Sequence, residues 1–197
     1  MLLRFEKPLI LASASPRRQE LLTRAGLSFT VLTKNVDEEY PTELQGATVA
    51  EYIARKKASA YDSEVHSGSI IITADTIVVV DEIILGKPSN EVAAREMLQM
   101  LSGRTHQVIT AVCIRSRQHM HCFSNTTKVR FRKLEESEIK HYVENYKPFD
   151  KAGGYGIQEW IGHIGIESIE GSYDNVVGLP VAALWSELQS LKSAGLI

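Results

Sequence analysis

Asp75 stands in the triplet Ala74-Asp75-Thr76, directly after the apolar, β-branched run Ile70-Ile71-Ile72-Thr73. A carboxylate emerging from such a buried strand is held rigidly and partly desolvated, which suits it to take a proton from water or to hold a metal ion. The second chemical segment is Ala12-Ser13-Ala14-Ser15-Pro16-Arg17-Arg18, which follows the apolar run Leu9-Ile10-Leu11. Ser15 suits an N-cap and Pro16 the first helical turn, where its missing N–H costs nothing. Free backbone N–H groups, the positive helix end, two hydroxyls and two guanidinium groups would then favour a phosphate. A capped helix start with a solvated basic turn, and a plain turn at Asp75, are the blander readings of the same residues.

Other element ends add Lys57, Lys87 and Lys151 to the basic set, and Glu38 and Asp150 to the acidic one. A polyphosphate needs both, cations for its oxygens and carboxylates for the divalent metal that bridges its phosphate groups. The segment Asp150-Lys151-Ala152-Gly153-Gly154-Tyr155-Gly156-Ile157-Gln158 is Gly-rich, which suits either close approach to a ligand or a tight turn packed on a sheet. Gln158 adds an amide that can both donate and accept.

These residues need elements to hold them. Strands are expected at Leu9 to Leu11, Phe29 to Thr33 and Ile70 to Thr73, then a hairpin of Ile77 to Val80 and Ile83 to Leu85 around Asp81-Glu82. Two long strands follow at Thr105 to Arg115 and about His119 to Phe131. Helices are expected after Ser15 to about Leu27, from Val49 to Tyr61, Asn90 to Leu101 with Val92, Met97, Leu98 and Leu101 inward, Glu135 to Tyr146, and Val181 to Leu191. The alternation implies an α/β class with a mixed sheet and flanking helices.

The chain has 197 residues, 44% of them hydrophobic, which fits a single domain spanning 1–197. A net charge of −2 argues against a nucleic-acid polymer as partner. No apolar stretch reaches the ~20 residues that cross a bilayer, and Met1 to Pro8 lacks the apolar region of a signal peptide, so a cytoplasmic location without membrane partners is expected. Cys113 and Cys122 read as reduced core residues. His119 and His121 alternate as a metal pair would, yet a polar hairpin tip explains them too. Dinucleotide and P-loop glycine motifs are absent from the sequence.

Leu11 to Leu22, Ala74-Asp75-Thr76, Gly86-Lys87-Pro88, Leu101-Ser102-Gly103-Arg104-Thr105-His106, Asp150 to Gln158 and Asn175-Val176-Val177-Gly178-Leu179-Pro180 together resemble, in order, the signature segments of the Maf family of nucleoside triphosphate pyrophosphatases. The resemblance implies a two-lobed α/β fold with a central cleft, related to the inosine triphosphate pyrophosphatases, and often a homodimer. It implies hydrolysis between the α and β phosphates with Mg²⁺ or Mn²⁺, and the branch acting on dTTP and UTP, in which CTP remains compatible with a flipped Gln158 amide. Asp75, Glu38 and Lys57 then fall at catalytic positions, Glu38 and Asp75 at metal positions, and Ser13, Arg17, Arg18, Thr76, Lys87, Lys151 and Gln158 at substrate positions. Whether Asp75 is base or metal ligand stays open. The same chemistry on 7-methyl-GTP or another modified nucleotide, and a nucleotide-binding regulator of cell division, are the alternatives.

Overall fold

The computed structural model describes residues 3–197; Met1 and Leu2, at the start of the segment read as no signal peptide, lie outside it. In chain order the elements are β1 (Leu9–Leu11), α1 (Pro16–Arg24), β2 (Thr30–Val31), α2 (Ala47–Ser59), α3 (Asp62–His66), β3 (Ile70–Val80), β4 (Ile83–Leu85), α4 (Glu91–Leu101), β5 (Thr105–Arg115) and β6 (Met120–Phe131). There follow α5 (Glu136–Tyr146), a 3₁₀ turn (Ala152–Gly154), α6 (Trp160–Gly165), β7 (Ile166–Glu170), α7 (Tyr173–Val177) and α8 (Val181–Ser193). The strands form one mixed sheet in the order β2-β1-β3-β5-β6-β7, with β4 also paired to β3. β1 runs parallel to β2 and β3, whereas β4 on β3 and β7 on β6 are antiparallel. This is the expected α/β class with a mixed sheet.

The described residues divide into two compact units, one of residues 3–75, 110–125 and 178–197, the other of 76–109 and 126–177. In the first, Ile10, Tyr61, Val65 and Ile71 form a buried cluster that seats α3 on β1 and β3. The start of α1 is tied locally: the Ser15 hydroxyl caps the helix by accepting from the Arg18 N–H, with Pro16 in the first turn. In the second unit Val78, Leu98, Phe131, Tyr142 and Ile161 pack together in one core. Asn90 caps α4 by accepting from the Ala93 N–H. Val92, expected inward, is 65% exposed, because the inward face of α4 is carried by Ala94, Leu98 and Leu101.

The motif residues His106 and Asn175 belong to this second core. Asn175 is fully buried and donates to the Val108 carbonyl and the Thr127 hydroxyl, which fastens α7 to β5 and β6. His106 stacks on Phe131 with ring centroids 5.5 Å apart.

Two further expectations are corrected. The strand through Asp75 does not stop at Thr73: β3 is continuous to Val80, since the ladder persists through polar residues once neighbouring strands pair with it. Cys113 and Cys122 are bonded as a disulfide rather than reduced. The Ser116 N–H donates to the His119 carbonyl, which closes the β5–β6 turn in the register that sets the two cysteines opposite each other, Cα atoms 4.1 Å apart. Facing residues of an antiparallel pair without mutual hydrogen bonds approach this closely, and a nine-residue spacing alone does not reveal the register.

Burial pushes the His106 imidazole down to about 4 from its ordinary 6.5, so it is neutral in the native protein at pH 7. The unfolded chain takes up a proton below about 6.5 and the folded chain does not until about 4, so stability falls as pH is lowered through that window. The loss attributable to His106 amounts to up to about 3 kcal/mol. Melting the wild type and His106→Phe at pH 7 and pH 5 should show a larger acid loss in the wild type; an equal loss in both would remove His106 as its source.

Candidate active site

In the first unit, three elements meet at one ammonium group. Lys57 sits near the end of α2, on the same face as the buried Val49 and Ile53, and its stem is carried inward by that packing. Its Nζ donates to Glu38 Oε1 at 2.8 Å and to Asp75 Oδ1 at 2.7 Å. Asp75 is buried on β3, flanked by Ala74, while Glu38 lies on the exposed segment between β2 and α2. Its neighbour Asp37 does not share this role: it accepts from Lys56 at 2.7 Å on the surface. That distinction fixes Glu38, rather than Asp37 or Glu39, as the carboxylate paired to Lys57.

The Ser-Pro-Arg-Arg turn lies in the same unit. Arg18 Nη1 donates to the Ala74 carbonyl at 2.9 Å and to the Ser13 hydroxyl at 3.3 Å, and its Nε donates to the Gly178 carbonyl at 2.8 Å. Arg18 therefore fastens the start of α1 to the residue before Asp75 and to the Gly178 turn. Burial pulls its pKa below the ordinary arginine value, against the opposing pull of Asp75. Arg17 is half-buried beside it.

The second unit holds Thr76, Lys87, Lys151 and Gln158. Thr76 follows Asp75 on β3 and is half-buried. Lys87 is exposed on the turn after β4. The Gly153 N–H donates to the Gly86 carbonyl at 3.0 Å, which ties the Gly-rich segment to that turn. Gly153 has φ +69° and lies so close to β3 that a Cβ there would meet Val78 at 3.0 Å, so this glycine serves the packed turn.

Lys151 is buried, and its Nζ donates to Asp150 Oδ1 at 2.7 Å and lies 3.1 Å from Glu159 Oε1. Glu159 Oε2 in turn accepts from the Tyr142 hydroxyl, and that hydroxyl accepts from the Gly156 N–H at 3.0 Å. The ion pair passes directly over Gly156, where a Cβ would fall 2.8 Å from Glu159 and 3.1 Å from Lys151. Burial raises the Tyr142 pKa, so the hydroxyl keeps its proton and donates. Gln158 is exposed, next to this buried network.

Glu159, Tyr142 and Gly162 were missed in the sequence. A Cβ on Gly162 would overlap the Ile157 carbonyl oxygen at 1.9 Å, so the first turn of α6 presses against the residue preceding Gln158. Only the Gly-rich segment itself hinted at such packing. His119 and His121 stack on each other, and His121 pairs with Glu187 at 2.9 Å. Among the described residues no group of three or more His, Cys, Asp or Glu side chains could hold a metal ion. No helix of the described residues is long and apolar enough to cross a membrane.

A family model described as Maf-like protein matches residues 8–191. The chain belongs to the Maf family. A dTTP/UTP pyrophosphatase from Bacteroides fragilis is 52% identical over 184 residues, covering 93% of this chain and 95% of that protein. The dTTP/UTP pyrophosphatases from Flavobacterium psychrophilum and Porphyromonas gingivalis are each 48% identical, covering 90% and 92% of this chain and 91% and 92% of theirs. Membership in the Maf family spans both structural units, because the match runs from before β1 into α8.

Arg18→Ala removes a charged donor from the Ala74 and Gly178 carbonyls, a loss of about 1–3 kcal/mol. Thermal melts should therefore show a clear loss for Arg18→Ala relative to the wild type. Wild-type stability of the variant would show that the Arg18 hydrogen bonds do not hold the turn.

Proposed function

We propose that this protein hydrolyses dTTP and UTP between the α and β phosphates, giving the nucleoside monophosphate and pyrophosphate. The observation that carries this reading is the Lys57 ammonium held between Glu38 and Asp75, a compact set of charges suited to activating water beside a polyphosphate. The relatives named dTTP/UTP pyrophosphatase supply the substrate class. A homodimer and a cytoplasmic location belong to the same reading, with modified or excess pyrimidine nucleotides as cellular targets.

Water is a poor nucleophile at neutral pH, so its proton must be accepted as its oxygen bonds to phosphorus. Asp75 is the acceptor in this mechanism, and the anhydride bond that breaks leaves its electron pair on pyrophosphate. Arg17, Lys87 and Lys151 are assigned to the phosphate oxygens, where positive charge offsets the charge growing on the leaving group. Ser13 and Thr76 are assigned hydrogen bonds to the same substrate, and Arg18 acts by holding Ser13 and the Ala74 carbonyl in place.

The hard carboxylate oxygens of Glu38 and Asp75 fit Mg²⁺ or Mn²⁺, with the remaining ligand positions left to phosphate and water. When bound there, the ion would neutralise phosphate charge and lower the pKa of water. Lys57 must then give up one or both carboxylates, and a phosphate oxygen is the partner that would receive it.

A nucleotide panel with Mg²⁺, assayed for pyrophosphate against orthophosphate, tests the reaction. Pyrophosphate from UTP and dTTP is expected, and orthophosphate with a diphosphate product would overturn it. Asp75→Asn should lower kcat by roughly 10²-fold or more in a folded protein, as removal of a general base does. Near-normal turnover would take Asp75 out of the mechanism.

Gln158 is assigned to the base. Uracil and thymine offer an acceptor O4 beside a donor N3–H, which one carboxamide satisfies with its NH₂ and C=O. An ionised carboxylate cannot donate to O4, so Gln158→Glu should shift the kcat/KM ratio of UTP to CTP by about tenfold toward CTP. An unchanged ratio would show that Gln158 does not contact the base edge.

A further inference from the structure

The segment from Asp150 to Gln158 carries two of the proposed substrate residues but little regular structure beyond one 3₁₀ turn. Its shape rests on a few contacts within its own unit. Gly153 is tied to Gly86, and Gly156 to the Tyr142 hydroxyl. The other anchor is Tyr155, whose ring meets Phe131 edge-on at 5.1 Å and His106 edge-on at 5.5 Å.

The Tyr155 hydroxyl and His106 Nε2 share a hydrogen bond of 2.7 Å. Both side chains are buried, His106 1% and Tyr155 5% exposed. Among the described residues the other ring nitrogen of His106, Nδ1, has no hydrogen-bond partner. The bond to Tyr155 is thus the one polar contact of a buried imidazole. A phenylalanine at 106 would stack on Phe131 as well and would bury no orphaned nitrogen, so packing alone does not account for a histidine. The motif Leu101 to His106 is left without a role by the proposed chemistry, and this contact supplies one.

We propose that His106 is a positioning residue for nucleotide binding, which acts through the Tyr155 hydroxyl to fix the segment carrying Lys151 and Gln158. The proposal rests on the reading of the protein as a dTTP/UTP pyrophosphatase. His106 itself touches no substrate. Its hydrogen bond sets the rotation of the Tyr155 ring, and with it the path of the backbone between the buried Lys151 and the exposed Gln158.

The test compares wild type with His106→Phe, Tyr155→Phe, the double variant and His106→Gln, whose amide can still bond the tyrosine. Each is assayed with UTP and CTP well below its melting temperature, and amide hydrogen exchange is followed in the nucleotide-free protein. Either single phenylalanine variant should raise KM for UTP about tenfold with kcat changed much less, and should narrow the UTP to CTP preference. Amides of residues 151–158 should exchange faster than the rest of their unit. The double variant should be no worse than the weaker single, and His106→Gln should recover part of the loss. Wild-type KM and base preference in folded phenylalanine variants would overturn the proposal, as would exchange that rises evenly across the unit, the mark of packing alone. If the wild type releases no pyrophosphate from UTP, the enzymatic reading fails by itself, and unchanged exchange at 151–158 would separately show that His106 anchors nothing.

Discussion

One ammonium group bridges two carboxylates that the fold holds close together. With Lys57 Nζ at 2.8 Å from Glu38 and 2.7 Å from Asp75, the end of α2, the segment before it and the middle of β3 have fixed positions relative to one another. Removing that cation would leave Glu38 and the buried Asp75 with less positive charge between them, and like charges so placed repel. The geometry therefore depends on the charge of Lys57 as much as on its length. It also explains why Val49 and Ile53 matter to the site: they set the rotation of α2 that points Lys57 inward.

The parts of the fold that were legible in the sequence are those with local causes. Ser15 and Pro16 announce α1, Asn90 announces α4, and Asp81-Glu82 mark a two-residue turn that the backbone realises with positive φ at both positions. The elements that escaped are short. α6, β7 and α7 span 6, 5 and 5 residues, too few for a periodic pattern to stand out. The continuity of β3 through Asp75 and Thr76 escaped for another reason. A strand bordered by partners on the sheet tolerates polar residues that, read alone, look like its end.

The candidate site divides in the same way. Residue types and motif order pointed to Asp75, Glu38 and Lys57, and the structure places Lys57 in contact with both carboxylates. What the sequence could not supply was destination. Arg18 looks like a free cation at a helix start, and only the structure shows its guanidinium bonded to the carbonyls of Ala74 and Gly178. Lys151 likewise looks like a surface lysine, yet it is buried between Asp150 and Glu159. The glycines of that segment mark places where other side chains cross, which no spacing rule encodes.

The hydrogen bond from Arg18 to the Gly178 carbonyl spans 160 positions of sequence. The unit that contains it is assembled from chain segments separated by the whole of the second unit. As the chain leaves the ribosome, α1 and its arginine emerge early, whereas their partner arrives only after the second unit has been synthesised. Both segments of the second unit, 76–109 and 126–177, emerge before the first unit is complete, and domains form in order of synthesis. The first unit must wait for residues 178–197, which complete it. The nascent protein therefore carries its catalytic candidates in an unfinished state for most of its synthesis, and long-range pairing of this kind closes slowly.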